Sequence, residues 1–165
     1  MRNFPSSLDR RTLAMTVLAA AFLVIGISAA AVSSAQTISP ARELLIALAV
    51  ALALALVVAY LLAPSGVSVD PTSLWLNRRL SREQLALTDL RSVRRINSLD
   101  LRNAVRLFGV GGLFGYYGWF TSSALGRFRM VATRLDRLAV ADFAGKTIVF
   151  SADEIDTVVA ALQRC

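Results

Sequence analysis

The stretch LFGVGGLFGYYGWFTSSALGRFRMVAT, residues 107–133, decides the fold. It sets Gly109, Gly111, Gly112, Gly115, Gly118 and Gly126 among Phe114, Tyr116, Tyr117, Trp119 and Phe120. A phosphate cradle is the sharpest reading of such a run, and the spacing rejects it. A P-loop needs Gly-x4-Gly-Lys-Ser/Thr at the start of a helix, and a dinucleotide fingerprint needs Gly-x-Gly-x-x-Gly between strand and helix. Here Phe114 occupies the third fingerprint position, no lysine is near, and strand-like alternation follows. The glycines therefore read as geometry, placed where a sharply bent sheet needs bulges or close backbone approach. By alternation Tyr116, Gly118 and Phe120 share one face. Tyr117, Trp119 and Thr121 share the other, where they can pack, meet a membrane interface or meet a partner.

Downstream, the period stays near two. A strand from Arg127 to Arg134 is followed by a turn at Leu135-Asp136 and a strand from Arg137 to Asp142. Ala144-Gly145 turns the chain into a hairpin strand from Lys146 to Phe150. Ser151 and Glu154 have capping-box spacing. After them Ile155, Val158, Val159 and Leu162 form the apolar stripe of a last helix.

Upstream, short strands are expected around Leu74–Leu76, Leu85–Leu87 and Val93–Asn97, with a polar turn at 77–82 and an irregular segment at 98–110. The sum is seven strands and one C-terminal helix in a bent sheet or partly open barrel over residues 72–165. Residues 64–71 (PSGVSVDP) read as a short linker rich in turn residues.

The N-terminal part is of another kind. Mean hydropathy over the chain is +0.59 and 56% of residues are hydrophobic, which points to membrane segments. After a polar lead over residues 1–11, a hairpin of two spans is expected across 12–63, at about 12–33 and 44–63. Each is long enough to cross a core of roughly 30 Å at about 1.5 Å per residue. The first run also has the outline of a signal peptide, with Ser33-Ser34-Ala35 as a small-residue cleavage site. It is longer than an ordinary signal-peptide core, which favours an uncleaved helix. Arg2, Arg10 and Arg11 precede the first span, and Arg78, Arg79, Arg82, Arg91, Arg94 and Arg95 follow the second. The positive-inside rule then puts both ends in the cytoplasm, the C-terminal part regardless of cleavage.

The order of two spans, seven strands and a last helix resembles the membrane-anchored form of the bacterial pleckstrin-homology-like (PH-like) domain family. Gly115, Tyr116, Gly118, Phe120, Leu125, Gly126, Ala132, Thr133, Gly145, Lys146, Ser151 and Asp153 carry the resemblance, within residues 109–162. It implies a PH-like fold, and it says more about fold than about activity. It implies no catalytic residues.

The composition agrees with a binding role. There is no histidine, the commonest general base and metal ligand, and the one cysteine is Cys165. Ser122 and Ser123 have no evident base, and Asp153, Glu154 and Asp156 sit where carboxylates complement a helix dipole. No catalytic, metal or cofactor site is expected. Formal net charge is +7, and every basic residue except Lys146 is arginine. A basic balance suits an anionic partner, and a tethered domain without a reading helix is a poor nucleic-acid binder. The expected membrane or partner surface is Arg78, Arg79, Arg82, Arg91, Arg94, Arg95, Tyr117 and Trp119. It would take anionic lipid headgroups, which attract each basic residue by roughly 1 kcal/mol, or a protein. The alternative is a homo-oligomeric scaffold assembled through the domain, with no specific lipid.

Overall fold

The structure, a computed structural model, describes residues 2–33 and 40–164. The turn expected between the two spans and the small-residue cleavage site lie largely in 34–39, outside the described residues, as does Cys165. Strand β1 (Arg2–Pro5) comes first, followed by helices α1 (Arg10–Ser33) and α2 (Pro40–Leu61). Nine strands follow: β2 (Pro64–Val69), β3 (Ser73–Arg78), β4 (Arg82–Ala86), β5 (Leu90–Ile96), β6 (Val105–Gly111), β7 (Tyr116–Ser122), β8 (Gly126–Ala132), β9 (Leu138–Phe143) and β10 (Lys146–Ser151). Helix α3 (Ile155–Gln163) ends the fold.

The strands form two sheets, one ordered β1-β2-β3-β4 and the other β5-β9-β10-β8-β7-β6. All pairs are antiparallel except β8 with β10. Alternation gives each sheet a core face. Phe4, Val67, Leu74, Leu76 and Leu85 from the first sheet meet Ala139, Ala141, Ile148 and Phe150 from the second. Ile155, Val158 and Leu162 of α3 close the same core. Burying a side chain such as Phe150 is worth about 1.5–3 kcal/mol. The second sheet is buried on its other face too, where Phe120, Phe128, Met130, Val140 and Val149 cluster under Leu101 and Ala104.

Four sequence expectations are corrected. The described residues hold ten strands, not seven. The segment read as a linker is β2, because it finds partners on both sides: Ser68 lies opposite Asn3 on β1 and opposite Trp75 on β3. The polar lead contains β1, whose single large apolar residue, Phe4, enters the core at 6% exposure. The irregular segment 98–110 resolves into a turn of 3-10 helix (Ser98–Leu101) and β6. Local propensity concealed these strands because pairing across the chain makes them.

The capping box also fails to form. Glu154 precedes α3 without a side-chain capping bond, and Ser151 Oγ instead accepts the Thr133 N–H at 2.9 Å.

The glycines act as expected. Gly109 and Gly118 face each other across β6 and β7, with φ of +126° and +128°. A Cβ on Gly109 would overlap the Tyr117 carbonyl, and one on Gly118 the Phe108 carbonyl. Beside this pair the register slips between Arg106 and Phe108, a bulge at Leu107.

Candidate functional site: the junction of the helices and the domain

Both helices are long and apolar enough to cross a membrane, with mean hydropathies of 1.9 and 3.0 over their most apolar windows. Their large side chains point outward, for example Phe22 at 71% and Leu44 at 71% exposure. The domain grips the near ends of both. Asp9 caps α1 by accepting the Thr12 N–H at 2.7 Å, and its first turn is clamped by Thr12 Oγ1 donating to the Thr133 carbonyl at 3.3 Å. Thr16 Oγ1 accepts the Phe114 N–H at 3.2 Å. Phe114 has a positive φ of 56°, a conformation that costs a non-glycine residue about 1–2 kcal/mol and that the junction contacts hold in place.

The end of α2 is held by the β3–β4 turn and by β7. In the turn, Arg79 N–H and Leu80 N–H donate to the carbonyls of Ala63 and Leu61 at 3.3 and 3.2 Å, which satisfies acceptors left open at a helix C-terminus. From β7, Tyr117 Oη donates to the Ala59 carbonyl at 2.7 Å. Burial raises the Tyr117 pKa against the pull of Arg78, so the hydroxyl keeps the proton it donates. The Tyr60 ring meets Phe114 edge-on at 5.3 Å and carries the Arg79 guanidinium 4.2 Å from its centroid.

A polar weld joins the segment before α1 to the end of β10. Ser6 Oγ is 2.8 Å from Ser151 Oγ, Ser7 donates through N and Oγ to Asp153, and Asp153 N–H returns to the Pro5 carbonyl at 3.0 Å. Arg134 bridges Asp153 at 2.8 Å and Asp136 at 2.6 Å. Burial alone would raise the Asp153 pKa, but the Ser7 and Arg134 bonds outweigh it and hold the carboxyl below its ordinary range.

The structure divides the surface expected from sequence. Arg78, Arg79 and Arg82 gather at the β3–β4 turn beside the end of α2. Arg78 is half-buried, and its pKa is lowered by burial and by Arg129, with Glu83 opposing. Arg91, Arg94 and Arg95 instead lie on β5, an edge of the other sheet, where Arg95 pairs with Asp156 of α3 at 2.8 Å. Tyr117 is not a free surface residue: it is 6% exposed and bonded to α2. Trp119 is half-buried, with the Arg127 guanidinium 4.7 Å above its ring.

Asp9, Thr12, Thr16 and the Ser6–Ser7 side of the weld were not among the residues expected, and Asp153 was expected only as a helix-start carboxylate. Asp9 three residues before Thr12 is a legible N-cap signal. The weld has no local signature, because its two sides are more than a hundred residues apart in the chain. The outer face of the first sheet, opposite its core, is also polar. Asn3, Pro5, Ser65, Ser68, Asn77, Arg78 and Arg82 line a cavity of about 340 Å³ there.

Residues 65–165 match the family of the bacterial PH domain. The chain belongs to that family. The match begins within β2 and runs through α3. PH-like domains are generally binding modules rather than catalysts, and two sheets closed by a C-terminal helix fit that fold. No curated protein and no solved structure matches the chain.

Proposed function

We propose that this bacterial PH domain protein is a non-enzymatic, multi-pass protein of the bacterial inner membrane. In this reading α1 and α2 form a transmembrane hairpin. The PH-like domain sits on the cytoplasmic face, where it binds a protein partner or anionic lipid. The carrying observation is the placement of β1. It precedes α1, yet completes the sheet that begins directly after α2, so the near ends of both helices sit on one side of the hairpin. The arginines at that end, Arg10 and Arg11 before α1 and Arg78, Arg79 and Arg82 beside α2, support a cytoplasmic orientation. Only two residues separate α2 from β2, so the domain is held at the membrane surface rather than on a tether.

A reporter fused after Cys165 of the full chain tests the topology. Cytoplasmic reporter activity is expected, and a periplasmic signal there would overturn the orientation. A photocrosslinker in place of Trp119, in intact membranes, tests the binding role. Adducts to one protein or to lipid are expected, and no adduct under any growth condition counts against it.

One observation favours a homo-oligomeric scaffold as the second reading. Edge strand β6 exposes Val105, Leu107 and Phe108 at 61%, 53% and 77%. Unprotected apolar edges are templates for strand pairing between chains. Light scattering of the full chain in detergent separates the readings: a monomer at high concentration removes the scaffold.

A further inference from the structure

Among the described residues the two sheets have four edge strands, and three of them are blunted. β1 has four residues and ends in Pro5. β4 has five, and Arg82, Glu83 and Gln84 put charged and polar side chains along it. On β5, Arg91, Arg94 and Arg95 stand exposed, α3 packs against the strand, and Gln163 Nε2 donates to the Val93 carbonyl at 3.3 Å. Short length, proline, charge and cover all discourage the pairing of an edge with another chain. β6 is different: it has seven residues, and Val105, Leu107 and Phe108 are exposed on it. In an antiparallel pair, alternate residues turn their N–H and C=O groups away from the partner, so the side of β6 away from β7 offers a row of open backbone groups. Register gives this edge two unlike faces. Phe108 lies opposite Trp119, whose ring carries the Arg127 guanidinium, and Arg106 lies opposite Phe120 on the other face.

Charge decides the occupant. The chain has no carboxylate between Asp100 and Asp136, a stretch that carries Arg102, Arg106, Arg127, Arg129 and Arg134. Arg129 is paired with Glu83, and Arg134 with Asp136 and Asp153. Arg102, Arg106 and Arg127 form no ion pair among the described residues. A second copy added edge to edge would bring another Arg106 and no carboxylate, and like charges across a strand pair destabilise it. Position disfavours the bilayer as the occupant. The strand is about 20 Å long, and its Gly111 end adjoins the tip that touches α1 at Met15 and Thr16. The exposed apolar residues, 105–108, are in the half farther from that tip. We infer that β6 is the docking edge for a protein partner that adds an extended, acidic segment to the six-stranded sheet. The side chains of such a segment alternate, apolar on the Phe108–Trp119 face and carboxylate on the Arg106 face. The inference rests on the protein-binding arm of the function proposed above and gives that partner a place and a chemistry.

Fluorescence anisotropy of the full chain in non-ionic maltoside micelles tests this, with empty micelles as the baseline. The probes are three dye-labelled heptapeptides: alternating Glu and Val, alternating Lys and Val, and the Glu–Val peptide methylated at every backbone amide. The first should bind at least about tenfold more tightly than the other two. Its binding should slow amide hydrogen exchange across 105–111 and should weaken as salt rises. Phe108→Ala should weaken it about tenfold, the loss of one side chain covered on docking. Arg106→Gln should weaken it by up to about fivefold, the effect of an exposed ion pair, and flatten the salt dependence. Arg94→Gln removes a charge from β5 and should change nothing.

Equal binding of the Glu–Val and Lys–Val peptides by the unaltered chain would overturn the acidic assignment, and undiminished binding of the methylated peptide would overturn strand addition. Both comparisons hold even if a variant fails to fold. Equal weakening by Arg94→Gln and Arg106→Gln would show general charge attraction and remove the edge. A dimer of the full chain that Phe108→Ala dissociates would give the edge to a second copy and overturn the inference. No binding at millimolar Glu–Val peptide sinks it too. Protein adducts from the crosslinker at Trp119 would then keep the binding role and place the partner elsewhere, whereas their absence would remove both.

Discussion

The Tyr117 hydroxyl reaches out of the β-domain to the Ala59 carbonyl in the last turn of α2, 2.7 Å away. It thereby fastens the end of the helix to the sheet. Tyr117→Phe keeps the ring and removes the donor. One net hydrogen bond is worth about 0.5–1.5 kcal/mol. The variant should melt a few degrees lower in detergent. Hydrogen exchange should rise at the end of α2 and in the β3–β4 turn, with α3 unchanged. Uniform loosening of the whole domain would show that the bond is not a local strut.

Strand β1, which precedes the first helix, is part of the domain's sheet and core. Phe4 fills the core, and Phe→Ala in a core costs about 3–5 kcal/mol, with an edge strand at the lower end. Phe4→Ala should therefore lower the unfolding midpoint strongly, and Leu8→Ala, exposed at 39%, should not. Cleavage after the first apolar run would remove β1 altogether. The mature protein extracted from membranes should therefore retain residues 2–9 by intact mass, and a mature N-terminus near Gln36 would refute this role for β1.

The C-terminal half was legible because its signals are local. The period-two runs of β8, β9 and β10, the Gly145 turn and the 3.6-period stripe of α3 need only neighbouring residues to be read. The strands hidden from sequence depend on distant partners. β1 offers one apolar residue of any size in RNFP besides its proline, and β2 reads as a turn because Pro64, Ser65, Gly66 and Ser68 dominate it. β6 is interrupted by glycines and a bulge. The arginines show the same limit at the level of the site. Arg82 and Arg91 are close in the chain, yet the chain passes from one sheet to the other between β4 and β5. Alternation puts Tyr117 on one face with Trp119, but periodicity cannot say that α2 covers the first and leaves the second half-exposed.

The glycine pair in the stretch 107–133 predicts an asymmetric response to alanine. At Gly118 a methyl group meets both a positive φ, costing about 1–2 kcal/mol, and the Phe108 carbonyl, where overpacking adds about 1–3 kcal/mol. Gly126 has φ of +64° and nothing within 4 Å of a built Cβ, so only the backbone term applies. Gly118→Ala should destabilise by about 2–5 kcal/mol and Gly126→Ala by about 1–2. Thermal unfolding of the two variants side by side checks the order. Equal effects would mean that the β6–β7 approach is looser than the paired strands indicate.

The weld at Asp153 should make the domain acid-sensitive in a defined window. The carboxyl is held below its ordinary value of 3.8 because Ser7 and Arg134 bond its charged form. A carboxyl with a depressed folded pKa stabilises the fold fully above the unfolded value and loses that contribution as pH falls through the folded one. Asp136, lowered by Arg134, acts in the same direction. The unfolding midpoint should hold steady above about pH 5 and drop as pH falls through about 4 and below. Asp153→Asn should start lower at neutral pH and show a shallower acid slope, the remaining slope belonging to Asp136 and the other carboxylates. Because Ser7 precedes α1 and Asp153 follows β10, acid should undock the N-terminal segment before it opens the core. Hydrogen exchange of the Phe4 amide, on β1 beside the weld, should therefore rise ahead of core unfolding. Simultaneous exposure of that position and the core would show that the N-terminal segment unfolds only with the domain.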